Sequence, residues 1–162
     1  MRAIFLILCS VLLNGCLGMP ESVKPVSDFE LNNYLGKWYE VARLDHSFEK
    51  GLSQVTAEYR VRNDGGISVL NRGYSEEKGE WKEAEGKAYF VNGSTDGYLK
   101  VSFFGPFYGS YVVFELDREN YSYAFVSGPN TEYLWLLSRT PTVERGILDK
   151  FIEMSKERGF DT

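Results

Sequence analysis

Histidine and cysteine are almost absent. The chain of 162 residues carries one histidine, His46, and two cysteines, Cys9 and Cys16. A transition-metal centre or a Ser-His-Asp unit therefore has little to be built from. No Gly-x-Ser-x-Gly elbow and no phosphate-binding glycine loop occurs. An excess of positive charge is missing too: 18 Lys and Arg stand against 23 Asp and Glu, interspersed, for a net charge of −5. Nothing here builds the basic face that a phosphate backbone requires, which excludes nucleic acid as a partner. Repeats and low-complexity tracts are absent, and no apolar run reaches the ~20 residues of a membrane-spanning helix.

What is present is aromatic and glycine-rich. Phe, Trp and Tyr make up 15% of the chain and glycines number 16. That mix suits pleated strands joined by tight turns. The length is that of one domain, long enough to bury a core without metal or disulfide staples.

The first residues stand apart. "MRAIFLILCSVLLNGC" has a positive start at Arg2 and a short apolar run from Ala3 to Leu13, the form of a secretory signal. Its end, Leu13-Asn14-Gly15-Cys16, resembles the bacterial lipobox. That resemblance implies a signal over 1–15, acylation of Cys16, and a lipidated tether over 16–27 ahead of a domain at 28–162. Leu17 after the cysteine, in place of Asp, implies the outer membrane. Two or more acyl chains hold a protein on a membrane far more firmly than one.

From residue 37 on, strand signals recur. "QVTAEYRVR" alternates cleanly, and "NDGG" turns it into "ISVLNRGYS", a hairpin pattern. "EWKEAEGKAYFV", "YLKVSFF", "SYVVFELD", "YSYAFVSG" and "YLWLLSR" follow, separated by short polar turns. With "KWYEVARL" these make eight strands. "SDFELNNYLG" before them reads as one helical turn, with Ser27 or Asp28 as N-cap. From Val143 to Arg158 the period becomes helical: Ile147, Leu148, Phe151, Ile152 and Met154 form one stripe, and Gly159 is placed as a C-terminal cap. The expected fold is all-β, an eight-stranded antiparallel up-and-down β-barrel with one C-terminal α-helix packed on its outside. Closure removes the exposed edges, and eight strands leave room for one small ligand or for side chains alone.

Gly36-Lys37-Trp38 on the first strand resembles the lipocalin Gly-x-Trp signature, and Arg139 in "LLSRTP" resembles that family's arginine after the last strand. "WYEVARLDHSFEKGL", "KVSFFGPFYG" and "YLWLLSRTP" are similar to the bacterial outer-membrane lipoprotein branch. The middle signature survives only as "DRENYSYAF", and the sequence stops at Thr162, where relatives add a short strand. The resemblance implies that Trp38 closes the barrel floor with Arg139 across its ring. It also implies a fatty acid, lysophospholipid or similar membrane lipid as ligand, without cofactor or metal; a homodimer remains open.

Alternation assigns the inward side chains. They are Tyr59 on the second strand, Val69 and Asn71 on the third, Ala88 and Phe90 on the fourth, and Val101 and Phe103 on the fifth. Tyr111, Val113 and Glu115 follow on the sixth, Ala124 and Val126 on the seventh, and Trp135 on the eighth. This lining is apolar with a few polar groups, as in small-molecule pockets. A head group is expected near "DHSFEKG", at a solvated His46 and Lys50, with Phe107 and Tyr108 as an apolar lip. Two further readings stand beside the lipid carrier: an enzyme acting on a lipid through Glu115, Asp45 and His46, and a filled barrel with a purely structural role.

Overall fold

A computed structural model describes residues 17–162; the expected signal segment and Cys16 lie outside the described residues. The strands are β1 Gly36–Arg43, β2 Leu52–Val61, β3 Ile67–Ser75, β4 Glu80–Phe90, β5 Tyr98–Phe104, β6 Phe107–Leu116, β7 Tyr123–Ser127 and β8 Leu134–Ser138. Each pairs antiparallel with the next, and β8 returns to β1 to close the barrel. The expected all-β architecture is the one observed.

The two ends of the barrel differ. Helix α1, Leu31–Tyr34, lies at the same end as loops 62–66, 91–97 and 117–122 and closes it. Loops 44–51, 76–79, 105–106 and 128–133 surround the other end. The N-cap of α1 is Glu30, which makes no side-chain cap bond, so neither Ser27 nor Asp28 serves as expected. The segment before α1 is more than a tether. Val23 is buried, Val26 N–H donates to the Val113 carbonyl at 2.9 Å, and Gly97 N–H donates to the Val26 carbonyl at 2.9 Å.

Helix α2, Arg145–Glu157, covers the outer face of β6, β7 and β8. Its Phe151 joins an outer cluster with Val112, Phe114, Phe125, Leu134 and Leu136, while Ile147, Leu148 and Met154 pack at the margin. Ile152, expected in the same stripe, is exposed. Gly159 adopts φ +86°, the left-handed conformation expected of a cap.

Of the four register shifts in the ladders, two re-aim charged residues. In β6 the ladder to β7 runs Val112–Ser127 and Val113–Val126, then skips to Glu115–Phe125 and Leu116–Ala124. Phe114 is the extra residue. Before it, Tyr111 and Val113 face inward as expected; after it, Leu116 does. Glu115 is therefore not a calyx residue. Its Oε2 lies 3.3 Å from Lys150 Nζ on α2, and Phe114 enters the outer cluster, where its ring stacks against Phe160. The extra residue lets a large aromatic and a carboxylate both leave the interior, which strict alternation forbids. Because the Glu115–Lys150 pair is partly exposed, it contributes little to stability. A second bulge, between Glu40 and Ala42 opposite Leu137 and Leu136, turns Arg43 to the same side as Trp135.

Candidate functional site: the calyx

The floor is built first. Gly36 opens β1 at φ +97°, a conformation that side-chain-bearing residues avoid, and it brings Trp38 under the barrel. Trp38 is fully buried, and its Nε1–H donates to the Tyr34 carbonyl at 2.8 Å. The Arg139 guanidinium lies 3.9 Å from the Trp38 ring centroid. It also donates to the carbonyls of Lys37 at 2.9 Å and Asn33 at 2.8 Å. One side chain thus covers an aromatic face and ties α1 to β1.

Above the floor stand three tyrosines. Tyr111 Oη bonds Tyr34 Oη at 2.6 Å and Tyr59 Oη at 2.8 Å. Burial pushes all three phenols above their ordinary range, so the trio stays neutral and tightly bonded. Phe29, Ile67, Ala88, Leu99 and Val101 surround them, and the void left between is about 10 Å³. That is room for about one water molecule. The closed half of the barrel is packed with side chains.

The open half carries a polar cluster that alternation alone does not assemble. Arg43 Nη1 donates to Glu40 Oε1 at 2.7 Å, and its Nη2 donates to the carbonyls of Glu49 at 2.9 Å and Leu52 at 3.1 Å. Trp135 Nε1–H donates to Glu49 Oε2 at 3.0 Å, and His46 Nε2 lies 2.8 Å from the same oxygen. The His46 ring packs 4.1 Å from Phe48 and 5.3 Å from both Tyr133 and Trp135. His46 is therefore a buried strut of loop 44–51, not the solvated head-group contact expected for it. Lys50 stays exposed and outside the cluster.

Two buried carboxylates this close do not both ionise easily. Burial, then the charge of Glu49, pushes Glu40 up to about 8 in spite of Arg43. Burial would raise Glu49 as well, but the bonds from His46 and Trp135 outweigh it and hold Glu49 below its ordinary value. The consequences have opposite signs. Glu40 binds its proton more tightly when folded, so its contribution is full below about 4.5 and is lost as pH rises towards 8. The Glu49 contribution is present above the ordinary carboxylate range and lost as pH falls through its depressed value. Urea unfolding should therefore show stability declining from pH 5 to 8, and Glu40→Gln should flatten that decline. An unchanged slope in the variant would place the titration elsewhere.

The remaining expected calyx residues fall as follows. Tyr59, Val69, Ala88, Val113, Ala124 and Val126 are buried in the inner cluster; Phe90, Val101, Phe103, Tyr111 and Trp135 pack against it half-buried. Asn71 sits opposite Ala57, another residue of that inner face. At the mouth, Phe107 is exposed and Tyr108 lies under Lys100. Glu40, Arg43, Glu49, Tyr34 and Phe29 complete the interior and were not among the expected lining. Glu40 was within reach, since it shares the parity of Trp38. The other four required the bulge, the fold of loop 44–51, or the path of the segment before β1. Among the described residues no group of carboxylates, histidines or cysteines is arranged to hold a metal ion.

A closed barrel of eight antiparallel strands with an arginine-capped tryptophan at one end defines a calyx protein. The chain belongs to the lipocalin family: the model of the lipocalin-like domain matches residues 29–162. It is 99% identical to the outer membrane lipoprotein Blc of Vibrio cholerae, over 100% of this chain and 95% of that one. It is 51% identical to the outer membrane lipoprotein Blc of Escherichia coli K12, over 88% of this chain and 80% of that one. Insecticyanin from Manduca sexta shares the fold, with a TM-score of 0.69 and 24% identity over 87% of this chain and 81% of that one.

Proposed function

We propose that the protein is a non-catalytic lipid carrier or scavenger of the bacterial outer membrane, taking up fatty acids, lysophospholipids or similar single-chain lipids. The observation that carries this reading is the barrel interior, an apolar inner face that includes Val69, Phe103, Val126 and Trp135, with the polar cluster at Glu40, Arg43 and Glu49 beside Trp135. An apolar lining takes an acyl chain without a charged clamp, because burial contributes ~0.8 kcal/mol per CH₂. Arg43 Nε is buried without a hydrogen-bond partner among the described residues, and a head group at the mouth would satisfy it. The enzyme reading loses its parts, since Glu115 faces α2 and His46 is held by Glu49.

Titration of delipidated protein with a single-chain lipid should quench or shift the emission of Trp135, and Trp135→Phe should remove the response. Saturable binding with recovery of unchanged lipid supports the carrier. Lipid turnover would support the enzyme reading, and no binding the structural one.

Anchoring is part of the proposal. The lipobox and the names of the Vibrio and Escherichia relatives support an acylated Cys16 in the outer membrane. Cys16→Ser should move the protein out of the membrane fraction or leave it as unprocessed precursor. Mature variant protein still firmly bound to membrane would contradict it.

A further inference from the structure

The ladder between β4 and β5 is short. It pairs Lys87 with Ser102, Ala88 with Val101, Tyr89 with Lys100 and Phe90 with Leu99, and stops there. Yet β4 begins at Glu80 and β5 runs on to Phe104. On its other edge β4 is paired with β3 all the way from Ala88 to Glu80, so the strand itself is well formed. The wall therefore carries a short slit beside Gly86, where Phe103 and Phe104 at the end of β5 are not paired with β4. A groove of about 390 Å³ lies there, within the ~300–1,000 Å³ of small-molecule sites. Its lining comes from both faces of the wall. Val69 and Phe103 belong to the inner packing, whereas Leu70 and Lys87 alternate with inward residues and face out.

At Gly86 the slit is closed by the Phe103 ring beside the Ser102 carbonyl. A Cβ on Gly86 would lie 2.8 Å from Phe103 Cδ1 and 2.7 Å from the Ser102 carbonyl oxygen, so the ring rests on bare glycine backbone. It is held by van der Waals contact alone, and a change of rotamer would move it. Beside the slit, at the tip of the β5–β6 hairpin, Phe104 and Phe107 stand opposite each other in register, 80% and 73% exposed. Large apolar side chains kept in water at one spot mark a surface that meets lipid or protein. The two other ways in are obstructed. The closed half offers a void of only about 10 Å³, and the mouth is occupied by the buried Glu40–Arg43–Glu49–His46 cluster, past which an apolar chain must travel.

We propose that the slit between β4 and β5 is a lateral gate for acyl chains. Phe103 is its leaf and Gly86 the seat. Phe104 and Phe107 are the contact with the lipid surface from which the chain comes. The gate rests on the lipid-carrier reading and names the route by which that calyx is filled. It also predicts which exposed apolar residue does not matter: Ile152, exposed on α2, lies off the route.

The test uses the full lipidated chain anchored in vesicles of phosphatidylethanolamine and phosphatidylglycerol. Donor vesicles supply an anthroyloxy-labelled fatty acid, and uptake is followed by energy transfer from Trp135. Phe104→Ser with Phe107→Ser should slow uptake about tenfold while leaving the final occupancy unchanged, as expected for gating rather than for binding. Phe103→Ala should speed it severalfold, and Ile152→Ser should leave it unchanged. Slowing by Ile152→Ser to the same extent as by the paired serines would make the effect one of general surface apolarity and overturn the gate. Equal rates in all forms would overturn it as well. No uptake by any form, the unaltered chain included, would overturn the lipid reading itself, and the gate with it.

Discussion

Trp38→Ala should lower the stability of the barrel by ~3–5 kcal/mol, the range for truncating a buried large aromatic. The site gives no means of relaxing around the loss. Trp38 is fully enclosed, its indole holds the end of α1 through the Tyr34 carbonyl, and its ring is the surface on which Arg139 lies. Arg139→Ala alone should also destabilise, because it removes the cation–π contact and leaves the carbonyls of Lys37 and Asn33 without their donor. The two losses overlap. In the double variant the Arg139 substitution should cost less than it does alone, by about 0.5–2 kcal/mol, the worth of the shared contact. Denaturant unfolding of the four forms measures it, and strict additivity would mean that the two side chains act separately.

Glu49→Ala should be the other large effect, about 2–4 kcal/mol, because one carboxylate accepts from both Trp135 and His46 and charge-assisted bonds contribute ~1.5–3 kcal/mol each. Its signature is a change of pH dependence. Without the Glu49 charge, Glu40 loses the second of the influences that raise it and is left with Arg43. Its carboxyl then ionises at lower pH, and the decline in stability between pH 5 and 8 should shrink. Glu49→Gln keeps an acceptor for Trp135 and should cost less than Glu49→Ala, with the same loss of slope. A full decline in both variants would show that the two carboxylates are not coupled.

The strand order, the barrel closure and the floor were legible because they rest on local signals. The glycine-rich turns, the Gly36–Trp38 spacing and the alternation from Thr56 to Arg60 survive in the structure, although β2 shifts register between Ser53 and Thr56 and Val61 is exposed. The helix was legible for the same reason, apart from Ile152. Glu115 was not. Alternation carries one bit per residue, and the extra residue at Phe114 inverts it without a Gly or Pro to announce the change. The same holds for Arg43 beyond the bulge at Val41. His46 escaped for another reason: its burial comes from Phe48, Tyr133 and Trp135, which only the folding of two loops brings together. The segment around Val23 has no periodicity, because its hydrogen bonds go to β6 and to Gly97 rather than to itself.

The carrier reading stands or falls on what the calyx holds when the protein is taken from the membrane in which it works. Native mass spectrometry of the lipoprotein recovered from outer membranes, with the bound lipid extracted and identified, measures this directly. The account predicts one intact single-chain lipid per barrel, displaced by added lysophospholipid and lost when Phe103 and Trp135 are both replaced by charged residues. Bare protein in every preparation, or lipid that disappears into cleavage products, would contradict it.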